Sequence, residues 1–382
     1  MNVKMIYLIF LLGIIYIPVI NKTLEIPFKS IKINDFRRVE NNNNKGRNDF
    51  LKKEENITIT SSLLFATEVK IGSNNQKFNL LLDTGSNNVW VAKKGSFDKV
   101  KISNHFDPTA SNSSSNTNIP FQITYGTGYC IGYYFSDYFI YINNSRFKML
   151  FGVAYQTDFS VDGIDGIIGL GHNYYNKAKS FINMLYQSEI TNSLSFSLKF
   201  GDNIYPGESG KLIIGKHEDF FSKKCVTTPL IHSSEHWVTQ INGFWMTNSK
   251  SSIKSKKSFD FRFDTGVNNI ILPLEYYNDL KDEIGKLKCF FIKLSDQNIY
   301  HIACDDIQNL PDFSFEINGN ILIVPKENSF YKSKDYFISL IYFWDLKVYT
   351  IGTPFFLTFH TLFDKENELL HFYPENDEYI KK

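Results

Sequence analysis

Two Asp-Thr-Gly triplets, Asp83-Thr84-Gly85 and Asp264-Thr265-Gly266, are the residues of this 382-residue chain whose types and spacing point to chemistry. One such triplet between strands reads as an ordinary turn, because Asp and Gly suit the backbone there. The pair calls for more. Leu80-Leu81-Leu82 leads into the first and Asn87-Asn88-Val89-Trp90-Val91 leaves it; Phe261-Arg262-Phe263 leads into the second and Asn268-Asn269-Ile270-Ile271-Leu272 leaves it. With Thr84 and Thr265 separated by 181 residues, the two turns bring one carboxylate from each half to a pseudo-twofold axis. Carboxyl groups about 3 Å apart cannot both ionise, so they share a proton, and one serves as base while the other serves as acid. The charged member deprotonates a water and the neutral member donates to a substrate carbonyl. This is general acid–base hydrolysis without covalent intermediate, metal or cofactor, and it suits amide bonds.

The neighbours fit that task. Gly85 and Gly266 lack a Cβ where the chain turns tightly and let backbone N–H groups reach the carboxylates. Thr84 and Thr265 can hydrogen-bond across the axis and fix both loops. Ser86 is placed to donate to the outer oxygen of Asp83, which favours its charged form.

Such loops need strands on both sides. From residue 57 onward, short segments rich in β-branched and aromatic residues alternate with Gly, Asn and Ser clusters, the pattern of an all-β protein. Phe65 to Ile71 and Lys77 to Leu82, around Gly72-Ser73-Asn74-Asn75, read as a hairpin. Helical periodicity is confined to Ser180 to Ile190 and to the stretch after Pro273, where Leu274, Tyr277, Leu280, Ile284 and Leu287 keep a three-or-four spacing. A second echo sets Asp165-Gly166-Ile167-Ile168-Gly169-Leu170 against Tyr349-Thr350-Ile351-Gly352-Thr353-Pro354, each at a similar distance beyond its Asp-Thr-Gly. Duplication of a β-rich lobe explains both echoes.

Composition narrows the remaining classes. With 41 Lys+Arg against 40 Asp+Glu, no net field favours nucleic acid. The 35 Phe and 22 Tyr supply a large core, while four cysteines are too few for a disulfide scaffold. Residues 1–20, with Lys4 before an apolar run, read as a secretory signal, and only its retention would tether the protein to a membrane. Residues 21–58 read as a basic pro-segment, from Leu24 to Lys32, followed by an Asn- and charge-rich exposed linker at 39–56 that a protease can cut. An N-terminal lobe at 59–225 and a C-terminal lobe at 226–382 complete the expected organisation, and the secretory pathway, whether secreted, vesicular or vacuolar, is the expected location.

These residues resemble the pepsin-type aspartic proteases from residue 24 to about 375, and the Asn- and Lys-rich style is most similar to the malarial plasmepsins. The resemblance implies a bilobal fold of two β-barrel-like lobes with an interlobe cleft and few short helices. It also implies an aspartic endopeptidase, made as a zymogen with its pro-segment as intramolecular inhibitor, acting on extended polypeptides and binding pepstatin-type inhibitors. Ile123-Thr124-Tyr125-Gly126-Thr127-Gly128 resembles the family's flap, with Tyr125 as its aromatic tip and Trp90 as the tryptophan that steadies it. Ile167 resembles a wall residue of the substrate pocket. Cys289 and Cys304 match a family disulfide, while Cys130 and Cys225 have no evident partner and read as free thiols.

Two departures bear on pH. Val267 stands where most members carry Ser or Thr, so Asp264 lacks the hydroxyl that Ser86 offers Asp83, and Thr353 stands where many acid-active members carry Asp. Renin is similar in lacking both groups. The expectation is a mildly acidic to neutral optimum. The rival reading, a pepsin-fold protein that binds peptide without cleaving it, rests on Val267.

Overall fold

Period-two alternation of buried and exposed residues builds strands through most of the chain, and phenylalanine fills much of the buried face. The computed structural model describes residues 3–10, 13–20, 24–33, 62–98, 102–126, 128–140, 146–159, 161, 163–172, 180–199, 209–215, 224–231, 235–293, 298–333 and 335–382. The 39–56 linker and Thr127 lie outside them. The expected hairpin is present as Ser62–Ile71 paired antiparallel with Gln76–Asp83. Its turn uses Gly72 and Asn75, with φ of 86° and 58°, a left-handed backbone that Gly and Asn adopt at least cost.

Helices among the described residues are short. Phe181–Gln187 starts at Ser180, whose hydroxyl accepts from the Asn183 N–H, and buries Phe181, Ile182 and Leu185. The periodic stretch after Pro273 forms two pieces rather than one helix. Leu274–Leu280 is α-helical, and Ile284–Leu287 is a 3₁₀ turn closed by Lys288 in the left-handed region at φ 56°. Leu280, Ile284 and Leu287 are nevertheless all buried, so both pieces point the same apolar stripe inward.

A 13-stranded sheet runs, in spatial order, through Val226–Pro229, Leu369–Pro374, Phe359–Asp364, Phe196–Lys199, Ser209–Ile214, Leu24–Ile33, Ser62–Ile71, Gln76–Asp83, Gly166–Gly169, Val89–Asp98, Arg146–Thr157, Gly128–Ile140 and Ser115–Tyr125. A further pairing of Ser62–Ile71 with Gly128–Ile140 curls its far end back on itself. Two C-terminal strands, Phe359–Asp364 and Leu369–Pro374, therefore lie in the sheet that carries Asp83. The strand around Asp264 belongs to a second sheet of eight strands, and a third sheet has five. Leu24–Ile33 is an internal strand, paired with Ser209–Ile214 on one side and Ser62–Ile71 on the other. Val3–Phe10 and Gly13–Ile20 pair with each other and, among the described residues, with no other strand, and no described helix is long and apolar enough to cross a membrane.

One core cluster joins the two halves. Phe196 stacks on Phe363 across the halves at 4.8 Å, and within the second half Trp237 meets Phe363 edge-on at 5.0 Å and Phe263 stacks on Phe372 at 5.1 Å. Each such ring buried stabilises the fold by roughly 1.5–3 kcal/mol. Cys289 and Cys304 face each other across adjacent strands and form a disulfide with Cα atoms 4.4 Å apart. Cys130 and Cys225 are free, the first buried and the second exposed.

Candidate active site

The two sequence echoes fold into the same local shape. Gln76–Asp83 ends at Asp83, Val89–Asp98 leaves the turn, and Gly166–Gly169 inserts between them, parallel to the first and antiparallel to the second. In the other half, Tyr349–Ile351 inserts between Phe259–Phe263 and Ile270–Pro273 with the same two senses. Backbone bonds close each loop: Leu170 N–H donates to Asp83 O at 2.7 Å, and Asp264 N–H donates to Ile351 O at 2.9 Å.

The threonines then lock one loop to the other. Thr84 N–H donates to Thr265 Oγ1 (3.1 Å) and Thr265 N–H to Thr84 Oγ1 (3.0 Å). Their hydroxyls pass the bonding on, Thr84 Oγ1 to Phe263 O (2.9 Å) and Thr265 Oγ1 to Leu82 O (2.7 Å). All four bonds are buried, where an unmade bond is expensive. As a result the two carboxylates face each other at the bottom of the paired turns. A Cβ on Gly85 would overlap the Asp264 carboxylate, and one on Gly266 would stand 2.6 Å from Asp83 Oδ1. Glycine at both positions is what allows the approach.

The pair is nearly closed to solvent, with Asp83 6% and Asp264 4% exposed. Gly85 N–H donates to Asp83 Oδ1 (2.8 Å), and Gly266 N–H donates to Asp264 Oδ1 (2.9 Å). Ser86 Oγ donates to Asp83 Oδ2 at 2.5 Å. Burial, and then the charge of Asp264, raise the Asp83 pKa to about 7 despite the opposing Ser86 and Gly85 bonds. Two facing buried carboxylates therefore favour a proton held by the pair.

Over this site, Tyr125 closes the hairpin of Ser115–Tyr125 with Gly128–Ile140, and Gly126 follows it in the turn. Trp90 Nε1 donates to Tyr125 Oη at 2.7 Å, and Phe159 packs 5.7 Å from each ring. Tyr125 also interacts with Ser86 and Asp83, and burial holds its phenol well above the usual range. Ile167 is buried in the same layer as Trp90, with Tyr125 packed against that layer. Thr353 donates to Val267 O at 3.2 Å, beside the second turn.

A family model described as eukaryotic aspartyl protease matches residues 64–374. The chain belongs to that family. It is 26% identical to mouse (Mus musculus) gastricsin over 66% of this chain and 64% of the relative. It is 28% identical to chicken (Gallus gallus) pepsin A over 67% and 68%, and 26% identical to Aspergillus fumigatus vacuolar protease A over 67% and 64%. The chain thus spans somewhat less than two thirds of the mouse gastricsin it matches. The all-β, bilobal architecture expected from the duplicated motifs is that of this aspartyl protease family.

Sequence reasoning missed three neighbours of the site. Arg262 lies two residues before Asp264, and its Nη2 stands 3.0 Å from Asp264 Oδ2. His236 is close enough for its charge state to feel both Arg262 and Asp264. Trp237 donates from Nε1 to Leu170 O at 2.8 Å, linking the second half to the loop that braces Asp83. For Arg262 there was a readable signal: one charge inside the apolar run that leads to the second Asp-Thr-Gly, at the position where the first run has Leu81.

Proposed function

We propose that the chain is an aspartic endopeptidase in which Asp83 and Asp264 are the catalytic pair. The observation that carries this reading is the reciprocal Thr84–Thr265 bonding, which holds two buried carboxylates face to face. One carboxylate removes a proton from water, the water oxygen attacks the scissile carbonyl carbon, and the other carboxyl delivers its proton to the carbonyl oxygen. Collapse of the resulting gem-diol expels the amine, which leaves protonated, and the pair returns to its single-proton state. Thr84, Gly85, Thr265 and Gly266 keep the geometry, Ser86 tunes Asp83, and Tyr125 with its turn covers an extended peptide.

The protein is further proposed to be made as a zymogen in the secretory pathway, with residues 59–225 and 226–382 as its lobes. The internal strand Leu24–Ile33 supports a pro-segment role, since the piece to be removed is paired on both edges. The Asn- and Lys-rich style supports a plasmepsin-like member, and the apolar preference usual in the family is the proposed specificity. Incubating the full chain, before and after cleavage of the 39–56 linker, with a quenched peptide library tests the reading. Turnover blocked by a pepstatin-type inhibitor is expected. Tight inhibitor binding without turnover would favour the peptide-binding alternative.

A further inference from the structure

The two carboxylates are not equivalently supported, and the asymmetry is not where Ser86 and Val267 alone would put it. Period-two alternation places residues two apart on one face of a strand. In Gln76–Asp83 the residue on the face of Asp83 is Leu81, 2% exposed in an apolar cluster. In Phe259–Phe263 the corresponding residue is Arg262, and its guanidinium pairs with Asp264 Oδ2. The other Asp264 oxygen takes the Gly266 N–H. The missing hydroxyl at Val267 is thus replaced by a full positive charge.

We propose that Arg262 is a positioning residue that holds Asp264 as the ionised, water-activating member of the pair and leaves the shared proton on Asp83. This deepens the protease reading and rests on it. The groups facing Asp264 all bear on the outcome. Arg262 favours its charge through a charge-assisted bond, roughly twice as strong as the neutral Ser86 bond on the other side. Asp83 approaches from the opposite loop, so the negative charge settles on one carboxyl at the expense of its partner. His236 lies near both Arg262 and Asp264, with Glu235 beside it; burial first, and then the Arg262 charge, depress the His236 pKa, which keeps its imidazole neutral further into the acidic range. Tyr125 and Ser86 face Asp83 rather than Asp264. In the step itself, Asp264 takes the proton from water and Asp83 gives its proton to the carbonyl oxygen.

The division of labour has a kinetic consequence. Protonating the ionised member ends activity on the acid side, and the guanidinium paired with Asp264 opposes that protonation, so Arg262 should set the acid limb. The experiment is a pH profile of kcat/KM for the wild type, Arg262→Met and Arg262→Lys, joined to carboxyl ¹³C NMR of the wild type at about pH 5, the mildly acidic range between an unperturbed Asp and the raised Asp83. Arg262→Met is expected to move the acid limb up by about one unit or more, with Arg262→Lys restoring most of the shift. The NMR signals should show Asp264 as carboxylate and Asp83 as carboxylic acid. Superimposed profiles, a shift to lower pH, or the opposite NMR assignment would overturn the proposal, as would a loss confined to substrates with acidic side chains. If Arg262→Met fails to fold, the wild-type NMR titration decides alone. Absence of wild-type turnover would count against the protease reading, while the NMR assignment would still test Arg262.

Discussion

Replacing Thr265 with Val keeps the side-chain shape and removes one hydroxyl from the lock between the loops. The loss strands two groups, the Thr84 N–H, which gives up its acceptor, and the Leu82 carbonyl, which gives up its donor. Thr84, Leu82 and Thr265 are all fully buried, so water cannot take over either bond. At about 1–3 kcal/mol for each of the two stranded buried groups, the variant should lose about 2–6 kcal/mol of unfolding free energy. Thr84→Val strands a matching pair, the Thr265 N–H and the Phe263 carbonyl. Pseudosymmetry therefore predicts similar losses from the two substitutions. Urea unfolding of the full chain, followed by tryptophan fluorescence, measures both, and kcat on the same samples should fall tenfold or more because the carboxylates lose their fixed approach. Losses below about 0.5 kcal/mol in both variants, the range of an ordinary surface substitution, would refute the claim that these bonds hold the loops together.

Ser86→Ala removes a donor that favours ionised Asp83. Since activity needs one proton on the pair, it should fall as pH rises through about 7 in the wild type, and the variant's alkaline limb should move up by about one unit, read from a pH–kcat/KM profile. Trp90→Phe deletes the donor to Tyr125 Oη, worth about 1 kcal/mol, so kcat/KM should fall about fivefold in steady-state peptide cleavage. Replacing Cys289 and Cys304 together with Ser opens a link across a sequence separation of 15 and should cost about 3 kcal/mol in urea unfolding.

The local parts of this fold were legible because local rules made them. Paired turns, the alternation of their flanking strands and the Asn-Asn steps gave the duplicated loops, and the residues brought together include both threonines, both glycines, Ser86, Trp90 and Tyr125. Long-range pairing was not legible. Nothing in the alternation of Phe359–Asp364 or Leu369–Pro374 says that these strands pair into the sheet of Asp83, since any strand with a suitable edge satisfies the same pattern. The stretch from Leu274 to Leu287 kept helical spacing through a break because the 3₁₀ turn presents the same apolar face. Val267 suggested an unsupported Asp264, and the expectation of a higher acid limb followed from it. Arg262 Nη2, 3.0 Å from Asp264 Oδ2, supplies a support that this reading lacked.

The most direct measurement is peptide cleavage by two nearly isosteric variants, Asp83→Asn and Asp264→Asn, against the wild type across the acidic and neutral range. An amide can neither take the proton from water nor share one with its partner, so each substitution alone should abolish turnover in a folded chain, with Asp83→Asn at the wild-type unfolding midpoint or higher and Asp264→Asn below it because Arg262 loses its counter-charge. Full activity in either variant would show that the paired carboxylates are not the reacting groups.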